Sequence, residues 1–370
     1  MKKKKNALFI AATGQNVGKT TLCLGILANL QKRFESVGFI KPVGQQHERV
    51  QGNIKVDKDV VLFKKHFGLP ADWEDMSPVI IPSGFTRDFL DKKISEELMQ
   101  KKIIHSFQKI YSQNVFTLVE GTGHVGVGSI INMNNARVAS ELGLDIVIIA
   151  SGGLGSAYDE LAMNIAMCQQ YGVRIHGVIL NRVLDSKRDM ILEYIPKSLK
   201  KWDIPLIGCV PFNDFLNTPA IKDFENLFGT PLISGDQYHY RHFQRVRLVA
   251  GSLESYLSEM DSNELVITPA SREDIIFAIL QKHRHDQLGR GEGFLGGIIL
   301  TSTQAPSDEI LEEIRKTDIP VLYTPLGSYD AMKMITSFTA KIRTEDTLKV
   351  DKAIKLVGEN LDFDLLCKNI

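Results

Sequence analysis

The sequence predicts an α/β fold: a mostly parallel sheet with helices on both faces, followed by a smaller α/β domain. Three observations carry this. Short, continuous apolar runs recur at 7–12, 37–40, 115–119, 145–150, 176–180 and 206–210, with helix-compatible segments between most of them, which is the pattern of strands buried on both faces. A glycine-bearing loop, ThrGlyGlnAsnValGlyLysThr at 13–20, separates the first run from a segment at 19–33 whose Leu22, Ile26, Leu27 and Leu30 have helical spacing. From Asn213 to about His242 the rhythm lapses, and then it resumes.

A chain of 370 residues is long for one core and leads us to expect two domains. The first domain is expected at 1–215. A linker follows at 216–244, where PheAsn, ThrPro, GlyThrPro and SerGlyAsp groups look like loops. The second domain, 245–345, starts with ArgValArgLeuVal at 245–249 and continues through LeuValIleThr at 265–268. A helix from about Glu273 to Gln281, GlyIleIleLeuThr at 297–301, a helix near 307–316 and ProValLeuTyr at 320–323 complete it. Residues 283–294, dominated by glycine and charge, are expected to form a mobile loop, and 346–370 a C-terminal helical extension.

Composition excludes several classes of function. With 44 Lys+Arg against 44 Asp+Glu the formal net charge is zero, so neither nucleic acid nor an anionic membrane is advertised as a partner. Cys23, Cys168, Cys209 and Cys367 are scattered without paired spacing, which suits a reducing, cytoplasmic location and speaks against a zinc ligand set. The opening MetLysLysLysLys reads as a solvated tail before a buried strand, because the apolar run behind it is short and passes directly into the glycine loop. No run of about 18 apolar residues is present.

The loop at 13–20 has the chemistry of a P-loop, which makes the first domain P-loop NTPase-type. Glycines let successive backbone N–H groups turn inward around a phosphate, at a helix N-terminus whose partial positive charge favours the anion. Thr13, Gly14, Gln15, Asn16, Val17 and Gly18 would form the cradle, with Lys19, Thr20 and Thr21 at its helical end. Lys19 would reach the β- and γ-phosphates of ATP, and the Thr20 hydroxyl would ligate Mg2+. Position 13 is Thr where the strict motif has Gly.

Magnesium favours hard oxygen ligands from neighbouring strand ends. Glu120 ends ValPheThrLeuVal and opens GluGlyThrGlyHis, while Asp57 and Asp59 lie in ValAspLysAspVal. An acid in such a place can instead cap the next helix, and the choice between the two aspartates stays open. Lys41 directly follows a strand and precedes Pro42, so it stands either at the carboxyl edge of the sheet, where ligands of such folds bind, or on the surface. Asn181 ends ValIleLeuAsn and could read an adenine edge or cap a helix. His239, His242, His283 and His285 accompany Tyr, Arg and Asp; they read as solvated histidines in polar loops and not as metal ligands.

PheIleAlaAlaThrGlyGlnAsnValGlyLysThr, PheIleLysProValGlyGln, ValGluGlyThrGlyHis and LeuAsnArgVal, in that order and spacing, resemble the dethiobiotin synthetase and cobyrinic acid diamide synthase group of P-loop proteins. The resemblance implies roles in ATP and magnesium binding for Lys19, Thr20, Asp57 or Asp59, and Glu120, and for Lys41 a role beside the reacting carbamate. Departures concentrate on the substrate side: AlaThrGlyGln, GlyGlnGlnHis and GluGlyThrGlyHis stand where dethiobiotin synthetases have GlyThrAspThr, a serine-rich stretch and GluGlyAlaGlyGly. GluLeuValIleThrProAlaSerArgGluAspIleIlePheAlaIle followed by GlyGlyIleIleLeuThrSerThr resembles a DRTGG domain, with ThrSerThr at 301–303 replacing its usual ThrGlyGly. This pair of domains is similar to the N-terminal regulatory part of long phosphate acetyltransferases. That similarity spans nearly all of the chain and does not extend to an acetyltransferase domain. Many such regulatory parts have a damaged P-loop, whereas Lys19 and Thr20 stand here.

Two functions of different class follow. In the first, the chain is a regulatory or sensing module: ATP and Mg2+ occupy the first domain, the DRTGG-like domain reads a small-molecule ligand or a partner protein, and chemistry stops at slow hydrolysis. In the second, it is an ATP-dependent ligase acting on a small carboxylate or diamine, with Lys19 and Lys41 as the catalytic residues that stabilise charge on the transferred phosphoryl group. A partitioning-type ATPase is disfavoured, because Gly14 stands where its signature lysine would be. The family implies a homo-oligomer.

Overall fold

All six apolar runs of the first domain become strands of one parallel sheet. The computed structural model describes residues 6–288, 293–368 and 370, and the lysine tail lies outside them. From edge to edge the sheet runs Leu206–Pro211, Ile175–Val183, Ile146–Ser151, Asn6–Ala12, Phe116–Glu120 and Val37–Ile40, and every neighbouring pair is parallel. The strands are buried almost throughout, as side chains covered from both sides must be. Register brings Ile10 beside Glu120 and Ser151 beside Asn181, so the carboxyl ends collect the residues singled out by motif.

The helix expected at 19–33 spans Lys19–Arg33. It buries Leu22, Leu24, Ile26, Leu27 and Leu30 against the sheet. After Val37–Ile40 comes a small outwork not foreseen from sequence: an antiparallel hairpin, His47–Val50 with Ile54–Asp57, and a short parallel pair, Val43–Gly44 with Val79–Ile80. Its polar residues hide the strand signal. Phe63, on the helix Lys58–Phe67, stacks on Phe39 at 4.0 Å and ties this region to the core.

The chain divides into two units: Met1–Asn213 together with Ile342–Ile370, and Asp214–Lys341. One expectation changes. The stretch 216–244 is not a linker but part of the second unit. It contains the helix Ile221–Phe228, whose Ile221 and Phe224 are buried, and the strand Leu232–Ser234, which pairs antiparallel with Val321–Thr324. The C-terminal stretch is helical as expected, and its helix Thr347–Asn360 packs on Lys19–Arg33. Val350, Ala353 and Val357 supply its buried stripe. Beyond it, Asp362 N donates to Ile207 O at 2.9 Å, and a ring nitrogen of His176 lies 3.2 Å from Leu365 O.

In the second unit the sheet order is Leu232–Ser234, Val321–Thr324, Gly297–Thr301, Glu264–Pro269, Arg245–Leu248, the last four being parallel. The helix expected to stop at Gln281 runs from Glu273 to Leu288, so His283 and His285 sit on a helix and not in a loop. His283 is buried, with one ring nitrogen 2.7 Å from an Asp318 carboxylate oxygen and the other accepting from Phe294 N at 3.2 Å. Residues 289–292 of the expected loop lie outside the described residues.

Candidate functional site

The glycine loop leaves the first strand anchored on both sides. Thr13 N donates to Ile149 O at 2.9 Å and Val125 N to Ala12 O at 3.1 Å. Two residues then turn left-handed, Asn16 at φ 59° and Gly18 at φ 97°. Gly18 is required twice over: its φ is poorly tolerated by other residues, and a Cβ there would lie 2.2 Å from the Asn181 side-chain nitrogen. Asn181 Nδ2 donates to Val17 O at 2.7 Å. It thereby holds the backbone of the glycine loop, a contact not read from sequence. Gln15 and Asn16 are exposed, Thr21 is half-buried, and the buried Thr13 hydroxyl has no hydrogen-bond partner among the described residues.

Lys19 is buried, and its ammonium donates to Gly123 O at 2.6 Å and Gly14 O at 3.4 Å. Burial lowers its pKa below the ordinary lysine value, with Glu120 opposing and Lys41 adding to the drop. The Thr20 hydroxyl lies 3.4 Å from Glu120 Oε1. Glu120 is 1% exposed and its second oxygen, Oε2, has no hydrogen-bond partner among the described residues. Burial pushes its carboxyl up to about 8; Lys41 and Lys19 oppose that shift, and Asp59 and Asp57 reinforce it. An orphaned buried carboxylate oxygen beside a P-loop threonine is a donor set that a hard divalent cation satisfies. Thr20 and Glu120 therefore fit Mg2+.

Asp57 and Asp59 converge on a different cation. Lys41, buried, contacts Asp59 Oδ2 directly and lies 3.1 Å from Asp57 Oδ1 and 3.7 Å from Glu120 Oε1. Burial alone would lower its pKa, but Asp59, Glu120 and Asp57 outweigh that and hold it well above the ordinary lysine value. Asp57 also caps the helix Lys58–Phe67, accepting from Asp59 N at 3.0 Å, while its other oxygen accepts from Gln46 N at 3.3 Å. Burial raises the pKa of Asp57 against the pull of Lys41. Among the described residues no group of three His, Cys, Asp or Glu side chains is arranged to hold a metal; the ammonium of Lys41 occupies the place between the acids.

The opposite wall is GluGlyThrGlyHis, clamped by two asparagines that the sequence reading did not single out. Asn135 Oδ1 accepts from Thr122 N at 3.1 Å, and its Nδ2 donates to Thr122 O and His124 O at 2.8 Å each. Asn164 accepts from Val125 N at 3.0 Å and donates to Thr13 O at 3.3 Å. Asn164 shares its helix's buried stripe with Leu161, Ile165 and Cys168, and a polar residue in an apolar stripe was the available signal. Thr122 completes the wall by donating its hydroxyl to Val43 O. In the second unit His239 pairs with Glu225 at 2.9 Å.

Comparison with known proteins agrees with this architecture. A family model described as an AAA domain matches residues 6–220, and a DRTGG domain model matches 224–338. The phosphate acetyltransferase of Pseudomonas putida is 28% identical over 372 residues, covering 96% of this chain and 50% of its own length. That of Pseudomonas aeruginosa is 28% identical over 386 residues, covering 98% and 51%. The chain thus spans about half the length of these curated relatives. Among solved structures, the MinD cell division protein of Aquifex aeolicus is 17% identical, covers 57% of this chain and 84% of its own, and has a TM-score of 0.34. With the AAA domain model matching more than half of its residues, the chain belongs to that AAA-domain family and joins its P-loop domain to a DRTGG domain.

Proposed function

We propose that the chain is an ATP- and Mg2+-binding regulatory or sensing module, comparable to the N-terminal part of the phosphate acetyltransferases it resembles. The observation that carries this is the contrast across the site. On the phosphate side, the loop from Thr13 to Gly18 ends at a helix N-terminus that begins with Lys19, and Thr20 lies 3.4 Å from one Glu120 oxygen while the other has no hydrogen-bond partner among the described residues. On the substrate side, Lys41 is 5% exposed and engaged by three carboxylates. An ammonium so neutralised is not free to assist a carbamate or carboxylate, and this favours the module over the ligase.

In this reading Lys19 leaves Gly123 O for the β- and γ-phosphates, and the N–H groups at the start of Lys19–Arg33 face the anion. Mg2+, when bound by Thr20 and Glu120, supplies positive charge to the phosphate oxygens. The second unit reads a small-molecule ligand or a partner protein. No described helix is long and apolar enough to cross a membrane, and four free cysteines suit the cytoplasm. Self-association is proposed as well, with sedimentation in the presence and absence of Mg-ATP as its test.

Calorimetric titration tests the nucleotide site. Mg-ATP is expected to bind the wild-type chain, with Lys19→Ala weakening it by about a hundredfold while the second unit keeps its melting transition. Phosphate release should stay slow and flat across a panel of carboxylates and diamines. A substrate-dependent burst of phosphate would overturn the regulatory reading in favour of the ligase.

A further inference from the structure

Away from the phosphate loop, the first unit has an open surface pocket of about 600 Å3 between the hairpin turn, the Ser77–Pro78 corner and Lys102 on the helix Glu96–Gln113, its charged residues exposed. That volume suits a metabolite-sized ligand. Lys55 and Lys102 line it against a single carboxylate, Glu74, and among the described residues neither lysine is paired with an acid. Pro78, Ile54 and Ile80 give it an apolar wall. The turn at its mouth is strained: Gln51 and Asn53, neither of them glycine, stand at φ 35° and φ 143°. Such backbone costs of order 1–3 kcal/mol per residue and tends to cluster at ligand clamps.

The pocket wall is also tied to the ion cluster of the nucleotide site. Ser77 Oγ accepts from Asp57 N at 3.0 Å, and the carbonyl of the preceding residue, Met76, accepts from Lys41 N at 2.8 Å. Ser77 at this wall and Met76 behind it thus hold the backbone of two members of the Lys41 cluster.

We propose that this pocket is a second ligand site, which takes a small dianion, a dicarboxylate or a phosphate compound, held by Lys55 and Lys102. Two cations facing one acid leave a net positive charge that a dianion complements, and the apolar wall accepts a short carbon body. The site is separate from the P-loop, so it stands or falls independently of ATP binding.

Magnesium-free calorimetric titrations of the full chain with citrate and with inorganic pyrophosphate test it. At least one probe should bind saturably with one-to-one stoichiometry. The affinity should fall by about tenfold or more in the Lys55→Ala/Lys102→Ala chain, whose exposed substitutions leave the melting temperature in place, and should persist in Lys19→Ala. Citrate alone would mark a carboxylate ligand, pyrophosphate alone a phosphate ligand. The proposal is overturned if neither probe saturates, if binding survives the double substitution, or if it disappears in Lys19→Ala, which would assign the anion to the P-loop.

Discussion

Glu120 faces two ways at once: one oxygen lies near the Thr20 hydroxyl and Lys41, and the other has no hydrogen-bond partner among the described residues. Replacing the carboxylate by an amide keeps the volume and removes the charge that Mg2+ needs. Glu120→Gln is therefore expected to weaken ATP binding by about tenfold in Mg2+ and to change it little in EDTA, as paired calorimetric titrations would show. In the second unit Glu264 poses the opposite problem. It is 0% exposed, with Tyr256 beside it and the Arg247 guanidinium 3.8 Å away. Burial raises its pKa above the ordinary 4.5 despite Arg247. For an acid with a raised folded pKa, the cost to stability is absent below the unfolded value and grows as pH rises above it. Glu264→Gln should thus raise the melting temperature by about 2 °C at pH 7 and leave it unchanged near pH 4. Of such residues, Lys19, Thr20 and Glu120 were legible because a motif fixes their spacing. The clasp of Lys41 by Asp57 and Asp59 was not, because no sequence pattern says whether an acid at a strand end meets a metal or a lysine.

Among elements, the six parallel strands were legible because burial on both faces leaves unbroken apolar runs. The hairpin His47–Val50 with Ile54–Asp57 was not, since its outward positions are polar. Nor does any local signal reveal that Thr347–Asn360 rests on the helix that begins with Lys19. That contact is close: a Cβ on Gly25 would lie 2.2 Å from Val357 Cβ, so glycine is what lets the two helices approach. Gly25→Ala should cost about 1–3 kcal/mol by overpacking, although alanine favours a helix in isolation. Thermal melting would register it, and a variant as stable as wild type would show that the two helices can part without loss.

For the molecule as a whole, the decisive feature is that both junctions of the second unit, at 213/214 and 341/342, lead back to the first. A linear reading placed a linker at 216–244 and an extension at 346–370, since sequence order tells which segments are helical but not which core they serve. The second unit has apolar clusters of its own, on one face Val266, Ile298 and Val321, on the other Leu265, Ile299 and Leu322. The first unit's core, by contrast, includes Val350, Val357 and Leu366 from beyond the second. Unequal behaviour of fragments follows. A 214–341 fragment should melt cooperatively. A 1–213 fragment should melt earlier than the first unit of the whole chain, because the buried face of Lys19–Arg33 loses its cover and each large apolar side chain left uncovered costs about 1.5–3 kcal/mol. Adding a 342–370 peptide in trans should restore part of the loss. A 1–213 fragment already as stable as the intact first unit, with no response to the peptide, would contradict the returning helix as a structural member of the nucleotide domain.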